Sequence, residues 1–230
     1  MKLPAVLIIL LSASVFAMGK SANIKYIETD FEISDLENAA WDAADTIKIK
    51  SYWSGQRAPK KRRFTAKMLW SESALYVRFD ANQGEPLVIS EKPDLTKKTR
   101  GLWDRDVCEL FISPFRDDAR KYFEFEVAPT GEWIDLGIYQ GPEKRDTDWD
   151  YASGMTTAAK IEYDLVVMAF RVEWTAFGSK PAAGDVWKGN LLRAVGKGEN
   201  RGYLAWSATR TEVPNFHVPE RFGEFFFVRD

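Results

Sequence analysis

Apolar and polar residues alternate along most of this chain with a period of two, as expected of strands that lay one face on a core. Within residues 101–135, Cys108, Leu110 and Ile112 fall on one side of an extended chain, and Val107, Glu109, Phe111 and Ser113 on the other. Tyr122, Glu124 and Glu126 oppose Phe123, Phe125 and Val127 in the same way, which a helix of about 3.6 residues per turn would not give. Turns are expected at 114–120 and at Ala128-Pro-Thr-Gly131, because proline fixes φ and glycine permits positive φ.

The same reading extends along the chain. Residues 64–70 and 74–80, separated by Ser71, Glu72 and Ser73, predict a hairpin. A second is predicted from 155–162 and 164–173, with Val166, Met168, Phe170 and Val172 on one face. Residues 46–52, 134–139, 186–195, 203–207 and 222–229 read as further strands. Helical content is slight: Ser34, with Glu37 three residues on, would cap a short turn over 35–44 that packs Trp41, and Trp174-Thr-Ala-Phe177 makes a single turn before Gly178. Residues 81–100 and 140–151 read as loops, the second carrying Trp149 between two aspartates. Frequent turns and no long amphipathic helix predict an all-β fold, a jelly-roll β-sandwich of antiparallel strands forming one domain over residues 24–230.

The first residues depart from this pattern. Lys2, an apolar run over 3–16, and Val15 and Ala17 at the −3 and −1 positions describe a signal peptide cleaved after Ala17. The run is shorter than the roughly 20 residues of a membrane span, so the mature chain is expected to be secreted, periplasmic or extracellular, with no membrane span. A formal charge of −2 gives no reason to expect a nucleic-acid partner, and Lys60-Lys-Arg-Arg63 reads as a solvated loop. The lone Cys108 cannot form an internal disulfide and sits on the apolar face of its strand, as a small core hydrophobe. Nine Trp, 8 Tyr and 15 Phe are more than a sandwich core requires, so some are expected to face a ligand.

Candidate chemistry narrows quickly. The single histidine, His217, leaves little basis for a Ser–His or Cys–His nucleophile or for zinc. Calcium is compatible with the acidic loops, although no EF-hand spacing occurs and the metal ligands stay unassigned. Glu124 and Glu126 share one face of a strand with Cβ atoms roughly 7 Å apart. They read either as a glycosidase pair or, as sheets are ordinarily solvated, as charges on an outer face. Asp104, Asp106 and Glu109 form a second acidic group beside Trp103, able to accept hydrogen bonds from hydroxyls. Trp103 itself is either a core residue at a strand entrance or a flat apolar platform for a pyranose ring.

Taken in order, several pieces resemble the family 9 carbohydrate-binding modules. They are Trp41 after an acidic turn, Ala74-Leu-Tyr-Val77, Trp103-Asp-Arg-Asp106-Val-Cys-Glu109-Leu-Phe, Tyr122-Phe-Glu-Phe-Glu-Val with Pro129-Thr-Gly131, and Phe222-Gly223. The resemblance spans residues 24–230 and implies a jelly-roll sandwich that binds a mono- or oligosaccharide without catalysis, in support of polysaccharide degradation by secreted glycoside hydrolases. In that family two aromatic side chains sandwich a terminal sugar and a glutamate binds its hydroxyls; by motif position these fall on Trp103, Phe216 and Glu109. The sequence departs from the family where Phe216 replaces a tryptophan and where Glu126 occupies the position of an arginine. His217 and Arg221, beside Phe216, are candidates to replace the missing polar contacts, with a structural role for His217 as the alternative. Two other readings stay open: a glycoside hydrolase using Glu124 and Glu126, and a haem-binding sandwich with Met, His or Lys ligands.

Overall fold

A computed structural model describes residues 19–229. The expected signal peptide at 1–17 lies outside the described residues. The strands are β1 (Ser21–Tyr26), β2 (Ile47–Ile49), β3 (Phe64–Trp70), β4 (Ala74–Asn82), β5 (Val107–Ser113), β6 (Lys121–Val127) and β7 (Trp133–Gln140). They continue with β8 (Arg145–Asp148), β9 (Thr156–Ile161), β10 (Leu165–Glu173), β11 (Val186–Val195), β12 (Gly202–Ala205) and β13 (Gly223–Val228). All helical segments among the described residues are single 3-10 turns, so the all-β expectation holds.

Eleven strands form one hydrogen-bonded path in the order β8-β7-β6-β5-β11-β13-β1-β3-β4-β10-β9, with β12 on β11 and β2 on β3. The path curls so that its halves face each other as a sandwich. Cys108, Leu110, Phe125 and Leu191 from one half meet Met68, Val77, Phe79 and Phe170 from the other in the main core. Phe125 and Phe170 bridge the layers with ring centroids 5.7 Å apart. The predicted hairpins are present: β3 pairs antiparallel with β4 and β9 with β10. Cys108 is fully buried, and burial pushes its thiol up to about 12, which suits a core hydrophobe.

Three local features differ from the sequence reading. Strand β1 runs parallel to both neighbours, β13 and β3, and joins the two halves of the sandwich. Alternation along one strand carries no information about the direction of its partner. The expected helical turn over 35–44 is a 3-10 turn, Ala39–Ala43, capped by Asn38 rather than Ser34, with the Asn38 side chain accepting from the Ala40 N–H at 3.0 Å. Residues 32–38 close on themselves in β-turns instead, with Asp35 N–H on Glu32 O and Asn38 N–H on Asp35 O. The loop at 140–151 contains a strand, β8, whose Arg145, Asp146 and Asp148 charge the sheet edge, a common protection against edge-to-edge association.

The outward face of β5, β6, β7 and β11 is also covered. Val107, Phe111, Tyr122, Ile134, Leu136, Ile138, Leu192 and Ala194 form a second apolar cluster there, closed over by Phe216 from the loop that precedes β13. On the opposite layer, Trp41 and its neighbours cover Leu69, Tyr76 and Val167. Both outer faces therefore carry packed material, and the face holding Glu109, Glu124 and Glu126 is not a simple solvated surface.

Candidate functional site

A cavity of about 400 Å³ opens on that covered face. It is within the range of small-ligand clefts, about 300–1,000 Å³. Its floor is made by Glu109 on β5 and by Glu124 and Glu126 on β6. One wall comes from β7 and β8 (Leu136, Ile138, Arg145, Thr147), and Tyr203, Asn215, Phe216 and His217 stand opposite among the other lining residues. Trp103 and Trp149 line it as well.

The Trp103 turn is fixed by residues remote from it in sequence. Gly101 takes the left-handed conformation (φ 80°) and starts the 3-10 turn Leu102–Asp104. The Arg201 guanidinium then gathers three carbonyls of this segment, donating to Trp103 O, to Asp104 O at 3.2 Å and to Arg105 O at 2.8 Å. It also reaches Gly196 O at 2.8 Å. Behind the turn, the buried Asp106 accepts from Gly196 N–H at 2.7 Å and from Val88 N–H. Burial raises the Asp106 carboxyl above the ordinary range. Asp106 is thus a structural brace, not the hydroxyl acceptor its sequence position suggested, whereas Asp104 does line the cavity.

Trp149 is the aromatic that sequence position did not single out as a partner. Its ring lies 6.1 Å from Trp103 at 49°, and the Arg100 guanidinium sits 5.1 Å from its face. The Asp148 carboxylate holds the loop by accepting from Asp150 N–H at 3.0 Å and Tyr151 N–H at 3.1 Å. Both indoles are partly open, with Trp103 37% and Trp149 38% exposed. Phe216, by contrast, is only 8% exposed and packs edge-on against Tyr203 at 5.9 Å. The exposed aromatic nearest Trp103 is therefore Trp149, while Phe216 forms part of the wall.

The remaining expected site residues divide. Glu109 is on the floor, and His217 lines the cavity with its Nδ1 2.7 Å from the Tyr122 hydroxyl and 4.0 Å from Glu124 Oε2. Burial, and then the nearby Arg145 charge, push the imidazole down to about 3, so it is neutral at pH 7. Arg221 lies in the 3-10 turn Pro219–Arg221, is exposed, and is not among the lining residues. The cation that does line the cavity is Arg145, delivered by the unexpected strand β8.

Glu124 and Glu126 correct the expectation of charges solvating an outer face: both are buried. Strand register sets Glu126 directly across from Glu109. Burial raises all three carboxyls above the ordinary range; mutual repulsion adds to this at Glu109 and Glu126. As a glycosidase pair the arrangement is poor, because all three project from adjacent strands onto one side of the cavity, whereas such acids flank the scissile bond. As a haem site the ligands are apart: Met68, Met155 and Met168 belong to the main core, on the other side of the sheet from His217.

Removing the Tyr122 hydroxyl tests how firmly His217 is seated. Tyr122→Phe leaves a buried imidazole nitrogen without its partner and should lower stability by about 1–2 kcal/mol in urea denaturation. An unchanged midpoint would show that the bond contributes nothing.

With this geometry established, comparison with known proteins decides the family. Residues 34–229 match the family described as carbohydrate family 9 binding domain-like. The chain belongs to that family. Its fold also recurs in solved structures. A Bacteroides uniformis protein assigned to carbohydrate binding superposes with a TM-score of 0.72 at 18% identity, covering 91% of this chain and 99% of that one. A family 9 carbohydrate-binding module from Caldicellulosiruptor kristjanssonii, solved with cellotriose, gives 0.65 at 15% identity, with 92% and 95% covered. The structure with glucose gives 0.65 at 16%, with 92% and 97% covered. No curated protein matches the chain significantly. At such identities the superpositions establish the shared family 9 fold, and the residues of the site stand on their own geometry. Among the described residues no helix is long and apolar enough to cross a membrane.

Proposed function

We propose that this family 9 domain is a secreted, non-catalytic saccharide-binding protein that holds a mono- or oligosaccharide in the cavity between the two indoles and the glutamate floor. The observation that carries this reading is the pairing of two partly open tryptophans, Trp103 and Trp149, at a cavity whose floor is polar. A pyranose presents apolar C–H faces and a rim of hydroxyls. Indole faces match the first, while Glu109, Asn215 and Arg145 supply acceptors and donors for the second. The cellotriose and glucose held by the Caldicellulosiruptor modules make glucose and β-1,4-linked glucose oligomers the first ligands to try.

Export is part of the proposal, through cleavage after Ala17. The partners are then secreted glycoside hydrolases, which this domain assists by holding polysaccharide ends. N-terminal sequencing of the exported protein should begin at Met18. Binding is tested by calorimetric titration of the mature chain with glucose, xylose, cellotriose and xylotriose. Saturable one-to-one binding of at least one sugar is expected, with Glu109→Gln weakening it roughly tenfold through loss of a carboxyl partner for a sugar hydroxyl. Absence of binding across a broad sugar panel, in protein shown to be folded, would overturn the reading.

A further inference from the structure

The three glutamates on the cavity floor present a problem that the described residues do not solve. Glu109, Glu124 and Glu126 are 2%, 3% and 0% exposed, and one oxygen from each lies within 4.8 Å of the others. Both carboxylate oxygens of Glu126 and Oε2 of Glu124 are buried and accept from no N–H or hydroxyl among the described residues, their hydrogen-bonding approach being of the two carboxyls to each other. Buried polar groups are almost always paired, and buried charges more strictly still. The nearby cations act on these carboxyls only from a distance: Arg145 is on an exposed edge strand across the cavity, Arg201 donates to the carbonyls of the Trp103 turn, and neutral His217 has its Nδ1 engaged by Tyr122. Register makes the cluster a fixed feature of the sheet, since Glu109 and Glu126 face each other across β5 and β6 and Glu124 follows two residues along.

We propose that Glu109, Glu124 and Glu126 bind a calcium ion at the floor of the cavity. The donor set selects the class of metal. Carboxylate oxygens alone, with no thiolate or free imidazole among them, suit a hard cation and disfavour zinc or copper. Calcium, with oxygens at about 2.3–2.6 Å, spans up to about 5 Å between opposite ligands, whereas magnesium at about 2.0–2.1 Å requires a tighter octahedron. Three carboxylates fill one side of the coordination sphere. Its other side opens into the cavity, where water or a pair of adjacent hydroxyls completes it. Contact between the ion and a bound sugar rests on the saccharide reading above; the ion site itself does not.

Calcium binding is therefore measured first and without sugar. Mature protein stripped with EGTA is titrated with calcium chloride by calorimetry and melted with and without the ion. One calcium per chain is expected, with a dissociation constant of about 0.1–1 mM, as in extracellular modules, and a raised melting temperature. Glu126→Gln and Glu109→Gln should each weaken the ion roughly tenfold or more and abolish the calcium-dependent rise, while Glu72→Gln, on the exposed surface, should leave both unchanged. Melting the calcium-free variants shows that they fold. No saturation up to about 10 mM calcium, or binding that survives in both site variants, would overturn the ion site. A sugar titration with calcium and with EGTA then separates the two proposals. Weaker sugar binding in EGTA supports contact between ion and sugar, and equal affinity overturns that contact. Calcium uptake without any sugar binding would remove the saccharide reading and leave the ion site standing.

Discussion

Trp103→Ala should weaken saccharide binding by roughly fiftyfold while leaving the fold intact. An indole face covered by a sugar removes on the order of 100 Å² of apolar surface from water, which at about 25 cal/mol/Å² amounts to ~2.5 kcal/mol. That contribution vanishes with the ring. The stability cost is small, within about 1 kcal/mol, because the ring is already 37% exposed and its turn is held through backbone carbonyls by Arg201. Trp149→Ala should act similarly, since the two rings are neighbours, and Trp103→Phe should retain part of the affinity. Calorimetry with the sugar that binds the wild type gives the numbers, and denaturant unfolding gives the control. Full affinity in Trp103→Ala would move the sugar away from the indoles. Comparable losses in Trp149→Ala and Phe216→Ala would restore Phe216 as a stacking face.

The second large effect concerns the sheet that carries the glutamates. Gly189→Ala should destabilise the protein by on the order of 3 kcal/mol or more, enough to prevent accumulation of folded chain if the wild type is marginal. Gly189 lies in β11, paired with Ile112 of β5 on one side and Gly223 of β13 on the other. A Cβ there would lie 2.2 Å from the Phe111 carbonyl oxygen and 2.6 Å from the Phe225 ring. Neither can yield cheaply: the first is backbone between two paired strands, and Phe225 stacks on Trp206 at 5.1 Å and 8°. The cause is close packing, since Gly189 is not among the positive-φ glycines. The midpoint of chemical denaturation reports the effect, and a loss below about 1 kcal/mol would show that the strands can separate locally.

The sequence alone determined most of the strands, though not β8, and which faces of several of them are apolar. Period-two alternation is a local property, so 64–70, 74–80, 164–173 and 186–195 were readable, as were the turn at Trp174-Thr-Ala-Phe177 and the apolar setting of Cys108. It also carried the family motif and, with it, Trp103 and Glu109 as residues of one site. Tertiary structure decided what covers each face and which distant segments meet. Alternation put Glu124 and Glu126 on a common face but could not show that Phe216 and its loop close over the second apolar cluster there, turning solvated charges into a buried acidic floor. Trp149, Arg145 and Arg201 reach the cavity or its supporting turn from loops and an edge strand with no periodic signal. Arg221, five residues after Phe216 in sequence, lies outside the lining because one 3-10 turn is enough to redirect a side chain. A strand's own residues determine which way its side chains point; its surroundings are set by contacts among segments far apart along the chain, and the site is made of those contacts.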